Sequence, residues 1–268
     1  MPMDNTNVHK VPSENQKKTA VVAWHLSVGV VLCVLGIFAF AILWRLVVGN
    51  GEDVVTFDTT ILKWAFAHQA PGLTQIAIGL AWFGNPIVIV TVGVISTIAG
   101  FVWRKIRGAA WTFPVAIIGS GIIIEGIKLS VHRLRPELFK HLLKETGYSF
   151  PSGHSFISVV IYGLVAYFLM HLTNRKSVRT IIVTWAVVLI VLVSLSRVYV
   201  GVHYPTDVLA GWATGIPWLI TCLGLHEVMA RRWSGSGEAI LNEPAGWDPA
   251  STAQGVAAGI KEKASAGK

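Results

Sequence analysis

The chain is predicted to be an all-α integral membrane protein, a bundle of six transmembrane helices, on three observations. Hydrophobic residues make up 53% of the 268 and charged residues only 13%, about half the charged share of an average soluble domain. Apolar runs recur along the chain, each close to the length that crosses a hydrocarbon core of roughly 30 Å. Most Lys and Arg flank those runs in short clusters, as they do where loops set membrane orientation. Eleven Trp and 26 Gly agree with interfacial anchoring and close helix packing. The net charge of +8 does not point to nucleic acid, which would need a basic stripe with exposed aromatics on a soluble fold. Cys33 and Cys222 sit inside apolar runs, so neither a disulfide framework nor a zinc site follows.

Taken in order, residues 1–20 are a polar N-terminal segment on the cytoplasmic side, with Lys10, Lys17 and Lys18 before the first span. Residues 21–44 form that span; no small-residue cleavage site follows, so it reads as an anchor and not as a removed signal peptide. Residues 52–69 are mixed and suit a short interfacial helix with Phe57, Ile61, Trp64 and Ala65 on one face. The second span is broken: residues 73–83 are apolar, Gly84-Asn85-Pro86 interrupts, and residues 87–103 resume, so one kinked or re-entrant span is expected. The remaining spans are placed at 109–127, 155–172, 180–195 and 208–225. The membrane domain thus covers residues 21–232, and the Gly, Ala and Ser-rich residues 233–268 read as a flexible cytoplasmic tail.

Orientation follows from Arg104, Lys105 and Arg107, then Arg175, Lys176 and Arg179, then Arg231 and Arg232. These alternate along the chain on the side of the N-terminal lysines, which the positive-inside rule makes cytoplasmic. The loop with Arg133, Arg135, Lys140 and Lys144 breaks the rule on the opposite face, and a functional reason is expected for it.

That reason lies in three blocks: residues 128–136 (KLSVHRLRP), 151–154 (PSGH) and 196–207 (SRVYVGVHYPTD). They bring two histidines, three cations and a carboxylate to the mouths of apolar segments. If Lys128 and Arg135 share a helix, seven residues are nearly two turns and both charges face one side. Ser152 and Gly153 stand just before an apolar run, where backbone N–H groups at a helix N-terminus receive an anion. His203 and Asp207 are one turn apart with Pro205 suited to the first turn between them, a spacing at which a carboxylate fixes an imidazole tautomer.

The three blocks resemble the signature motifs of the phosphatidic acid phosphatase type 2 superfamily, K-x6-R-P, P-S-G-H and S-R-x5-H-x3-D, at every defining position. Phe150, Tyr204 and Gly211 fit the flanking pattern. The resemblance implies that His203 is the nucleophile, oriented by Asp207, and that His154 protonates the leaving oxygen. Lys128, Arg135 and Arg197, with the Ser152 and Gly153 backbone, would hold the phosphate. No metal or cofactor is implied, since three cations and backbone donors can stabilise the equatorial oxygens. The implied activity is metal-independent hydrolysis of a lipid phosphate or pyrophosphate at the extracytoplasmic face of a cytoplasmic membrane, through a phosphohistidine. Undecaprenyl pyrophosphate leads as substrate, ahead of phosphatidate and phosphatidylglycerol phosphate.

A lipid phosphotransferase using the same site, or a non-enzymatic transporter with charges lining its pathway, is the alternative. The transporter leaves the two-histidine pattern unexplained. His25, His68, His141, His171 and His226 read as solvated anchors. Glu125, costly near the end of a span, is expected to pair with Lys128 or Arg133, or to meet substrate. The partners expected are the lipid phosphate and membrane lipids, with no nucleic acid; the sequence carries no signal for an oligomeric state.

Overall fold

The computed structural model describes residues 14–49, 51–137 and 145–241. Among these every regular element is helical: α1 (Glu14–Val48), α2 (Glu52–Ala67), α3 (Pro71–Trp82), α4 (Pro86–Val102), a 3-10 turn (Arg104–Ile106), α5 (Ala109–Val131), α6 (Gly153–Met170), α7 (Lys176–Tyr199) and α8 (Pro205–Leu241). Five helices are long and apolar enough to cross a bilayer, and α3 with α4, bent by 46°, makes a sixth if the pair is one span. The break has a local cause. Asn85 caps α4, its side chain accepting the Ile87 N–H, and Pro86 opens the helix, where a missing N–H and a fixed φ cost nothing.

Several boundaries differ from the sequence reading. Helix α1 is already helical at Glu14 and continues to Val48, because nothing between them breaks a helix. Helix α8 remains helical as far as Leu241, past the point where the tail was expected to begin. The chain forms two compact units, Met1–Gly224 and Leu225–Lys268, and all three motif blocks lie in the first.

Helix α6 runs through the middle of that unit. Phe156, Val160, Ile161 and Leu164 are fully buried, while Val30 and Phe38 on α1, Ile122 on α5 and Trp185 on α7 are exposed. A bilayer solvates apolar side chains, so outward Val and Phe are in their proper solvent and small polar residues can line the interior. Ser155 and Ser158 do so, the Ser158 hydroxyl donating to the Ser155 carbonyl at 3.1 Å. The face expected on α2 is divided: Phe57 and Trp64 are exposed, as suits an interfacial helix, while Ala65 is buried with Asp58 and Leu62. An interfacial helix can leave aromatics in the lipid boundary, so apolar character does not mark its inner face.

The C-terminal ends of α5 and α7 and the N-terminal ends of α6 and α8 meet at one end of the bundle. The Ser149 N–H donates to the Arg133 carbonyl (2.8 Å) and the Ser152 N–H to the Asp207 carbonyl (2.9 Å). The clusters around Arg104 and Arg175 cap the opposite ends of these same helices.

Candidate active site

Helix α5 stops at Val131 because His132 takes a left-handed conformation (φ 54°), its N–H donating to the Lys128 carbonyl at 3.0 Å. Lys128 therefore stands on the last helical turn and Arg135 on an extended segment beyond it. The expectation of one helix carrying both is corrected. A left-handed C-cap without a glycine leaves little trace in sequence.

Arg135 is aimed by backbone carbonyls. Its Nε donates to Gly147 O (3.1 Å), its Nη2 to Thr146 O (3.1 Å) and its Nη1 to Val202 O (2.9 Å). The same Nη1 lies 3.3 Å from His203 Nε2. Arg197, on the last turn of α7, is 1% exposed and ion-pairs through Nη2 with Glu145, while its Nε is buried with no partner among the described residues. Lys128 Nζ pairs with Glu125 at 3.2 Å, one of the two pairings expected of that acid.

In the second block, Ser152 is the N-cap of α6 and its hydroxyl accepts the Ser155 N–H. Its own N–H is committed to the Asp207 carbonyl, so it is not a donor to the cavity as the sequence suggested. The N–H groups of Gly153 and His154 have no acceptor among the described residues, and they stand at the positive end of α6. The bend between α3 and α4 closes over His154: a Cβ at Gly84 would stand 2.5 Å from His154 Cδ2. Gly211 lets α8 approach the same turn, since a Cβ there would lie 2.8 Å from the Ser152 carbonyl. The His154 ring makes no hydrogen bond among the described residues.

The third block places His203 just before α8, and Asp207 in its first turn. Asp207 accepts the Tyr204 N–H on Oδ2 at 2.9 Å, the carboxylate half of a capping box, which fixes the side chain. The same Oδ2 is 3.4 Å from His203 Nδ1. A carboxylate can only accept, so Nδ1 carries the ring proton and Nε2 keeps its lone pair. His203 is 2% exposed and Asp207 fully buried. Burial holds the His203 imidazole below its ordinary value, against the upward pull of Asp207, and Arg135 and Arg197 add to the lowering.

Arg133 and three residues that the sequence did not single out, Asp58, Thr206 and Glu145, complete the arrangement. Arg133 Nη1 donates to Asp207 Oδ1 (2.6 Å) and to Thr206 Oγ1 (2.8 Å), and Nη2 to Asp58 Oδ2 (2.7 Å). The Arg133 guanidinium also lies 4.1 Å from the Tyr204 ring centroid. Thr206 donates its N–H to Asp58 Oδ1 (3.0 Å) and its hydroxyl to Oδ2 (2.6 Å). Glu145 faces Arg197 and, at 3.9 Å, Arg135. The break in the positive-inside pattern pointed at Arg133, whose partners are Asp58 and Asp207 and not Glu125. Lys140 and Lys144, from the same loop, lie outside the described residues.

Lys128, Arg135, Gly153, His154 and His203 line one cavity of about 430 Å³, which runs on between Ile89 and Ile117. Arg197 borders an adjoining pocket of about 150 Å³ that shares His154 and Glu145. Lys128, Arg135, His154, Arg197 and His203 are thus at one place, with Asp207 directly behind His203. His68 and His171 are elsewhere, each bonded to a carbonyl of its own helix.

A membrane bundle with two histidines, a buried carboxylate and a cation-lined cavity at one end has the parts of a lipid phosphatase. The chain belongs to the PAP2 superfamily, which matches residues 109–229. A phosphatidylglycerophosphatase B of Bacillus subtilis is 32% identical over 182 residues, 66% of this chain and 87% of the relative. An undecaprenyl-diphosphatase of Sulfolobus acidocaldarius is 32% identical over 171 residues, 62% of this chain and 77% of the relative. The crystal structure of a transmembrane PAP2-type phosphatidylglycerolphosphate phosphatase from Bacillus subtilis is similar with a TM-score of 0.68 at 31% identity, covering 73% of this chain and 96% of that one. The protein is a multi-pass membrane phosphatase of this superfamily, as the three motifs implied.

Proposed function

We propose that the protein hydrolyses a lipid phosphate or pyrophosphate without a metal, through a phosphohistidine on His203. The observation that carries this reading is the meeting of His203, His154, Arg135 and Lys128 around one cavity, with Arg197 beside it. His203 Nε2 attacks phosphorus in line with the bond to the leaving oxygen, and that bond breaks as His154 gives the oxygen a proton. Water then attacks the phosphohistidine, His154 takes its proton, and inorganic phosphate leaves with His203 neutral again. Lys128, Arg135, Arg197 and the N–H groups of Gly153 and His154 face the charge on the equatorial oxygens. The unpartnered Arg197 Nε supports this clamp, because a buried donor without an acceptor is costly until a ligand supplies one.

The substrates in the relatives' names are phosphatidylglycerophosphate and undecaprenyl diphosphate. The more fully covered relative and the similar crystal structure favour the first, which reverses the order expected from sequence. The basic clusters at the far ends of the helices support a site at the extracytoplasmic face of the inner membrane and cytoplasmic termini. Phosphate release by the purified protein from phosphatidylglycerophosphate, undecaprenyl pyrophosphate and phosphatidate tests the reading. Release from at least one is expected; transfer of the phosphate only to an added lipid alcohol would instead identify a phosphotransferase.

A further inference from the structure

We propose that Asp58 is a positioning residue for the phosphoryl-transfer step, acting through Arg133 and Thr206 to hold Asp207 charged and aligned behind His203. Asp58 lies on α2, outside the residues that match the superfamily. It is 0% exposed, on a helix whose other buried positions, Leu62 and Ala65, are apolar. Packing alone would be served by another apolar residue there, since a buried ion cluster is seldom a net stabiliser.

The hydrogen bonds define the charge state of the cluster. Asp58 receives the Thr206 N–H, the Thr206 hydroxyl and Arg133 Nη2. Every partner is a donor, so both Asp58 oxygens act as acceptors, which is the ionised form. Thr206 has one hydroxyl proton; it goes to Asp58, and the Thr206 oxygen accepts Arg133 Nη1. Arg133 is thereby held at both ends, with Nη1 also on Asp207.

Asp58, Arg133 and Asp207 carry two negative charges and one positive charge, which leaves one negative charge in surplus behind the imidazole. As His203 Nε2 bonds to phosphorus, the ring, still holding its Nδ1 proton, becomes cationic, and the surplus compensates it. With Asp58 uncharged, the full charge of Arg133 falls on Asp207 and opposes the cation on His203. Neither Asp58 nor Arg133 lines the cavity shared by His154 and His203, so both act through Asp207. This inference rests on the phosphohistidine reading above.

The test is a double-mutant cycle on the full-length purified protein: wild type, Asp58→Asn, Asp207→Asn and the double variant, each measured for kcat, KM and inhibition by inorganic phosphate. Asp58→Asn is expected to lower kcat about 10- to 100-fold, the usual scale for an outer partner of a reacting group. The Ki for phosphate should stay within about twofold, because the clamp is untouched and the protein is folded. In the Asp207→Asn background the same change should cost less than about threefold, since the path to His203 is already cut. Should Asp58→Asn fail to fold, Thr206→Val removes only the hydroxyl bridge and is expected to show the same pattern with a smaller loss. Effects that multiply, an unchanged kcat, or a loss matched by weaker phosphate inhibition would overturn the inference. A wild-type protein that releases no phosphate would overturn the phosphatase reading itself.

Discussion

Behind His203, Asp207 receives Arg133 at 2.6 Å and the Tyr204 N–H at 2.9 Å, and Arg133 is in turn tied to Thr206 and Asp58. In front of it, among the described residues, His154 makes no hydrogen bond, Arg197 Nε is buried without a partner, and the N–H groups of Gly153 and His154 have no acceptor. The back wall is saturated, whereas the front wall sets the paired Arg135 and Lys128 beside donors that have no acceptor among the described residues. The contrast assigns them different work. A saturated wall fixes the tautomer and direction of His203, the proposed nucleophile, before substrate arrives, so no reorganisation is needed during the reaction. Unsatisfied donors in a cavity gain their partners only when an anion with several acceptor oxygens enters.

Breaking the back wall at its centre should have the largest effect. His203→Ala is expected to reduce turnover on the order of 10⁵-fold or more, since no other side chain supplies the covalent step; phosphate release from a lipid phosphate measures it, and a loss below tenfold would show that His203 is not the nucleophile. Asp207→Asn should be milder, because the nucleophile remains while its tautomer and orientation are disturbed.

The front wall is probed next. His154→Ala should cost about 10²- to 10⁴-fold with an alkyl phosphate and much less with a nitrophenyl phosphate, whose leaving group needs no proton. Equal losses with both substrates would remove the acid role. Arg197→Lys keeps a charge but loses the planar fork, and an increase of about tenfold or more in the Ki for vanadate is expected. An unchanged Ki would place the anion elsewhere.

The pH dependence sharpens the contrast further. Burial lowers the His203 value, so the ring stays neutral as pH falls through about 6.5, the ordinary value for histidine. After correction for substrate ionisation, the acid limb of kcat/KM, which reports protonation of His203, should lie below that point; an acid-limb half-point at or above it would contradict a desolvated His203. Stability has the same sign. The unfolded chain takes up a proton near pH 6.5 that the folded chain refuses, so stability is present above that pH and lost as pH drops below it. The smallest effect is expected from chelation: EDTA should leave turnover unchanged. Loss in EDTA restored by magnesium would sink the metal-free mechanism.

The parts of this site that were legible in sequence are those built from local geometry. His203 and Asp207 lie one turn apart at the start of α8, Gly153 opens α6 after Ser152, and Gly84-Asn85-Pro86 marks the bend between α3 and α4. The parts that were not legible depend on distant pairing or on an unmarked backbone state. Asp58 and Thr206 are 148 residues apart, and no spacing rule relates them. Arg135 leaves α5 because His132 is left-handed, a conformation usually announced by glycine. On α2 the exposed Phe57 and Trp64 suit the interfacial helix that the sequence suggested, whereas the buried Asp58 beside them left no trace in the pattern. Alternating apolar runs sufficed for the spans, whereas the wiring between α2 and α8 needed coordinates.

The central claim, that phosphate passes through His203, is tested most directly by rapid mixing with a lipid phosphate labelled in its phosphoryl group. The reaction is quenched in alkali, where phosphohistidine survives, and the labelled peptide is sequenced. The account predicts a burst of label on His203 that precedes phosphate release, is lost in acid, and is absent from His203→Ala. No labelled protein during steady turnover, or label on His154, would contradict it.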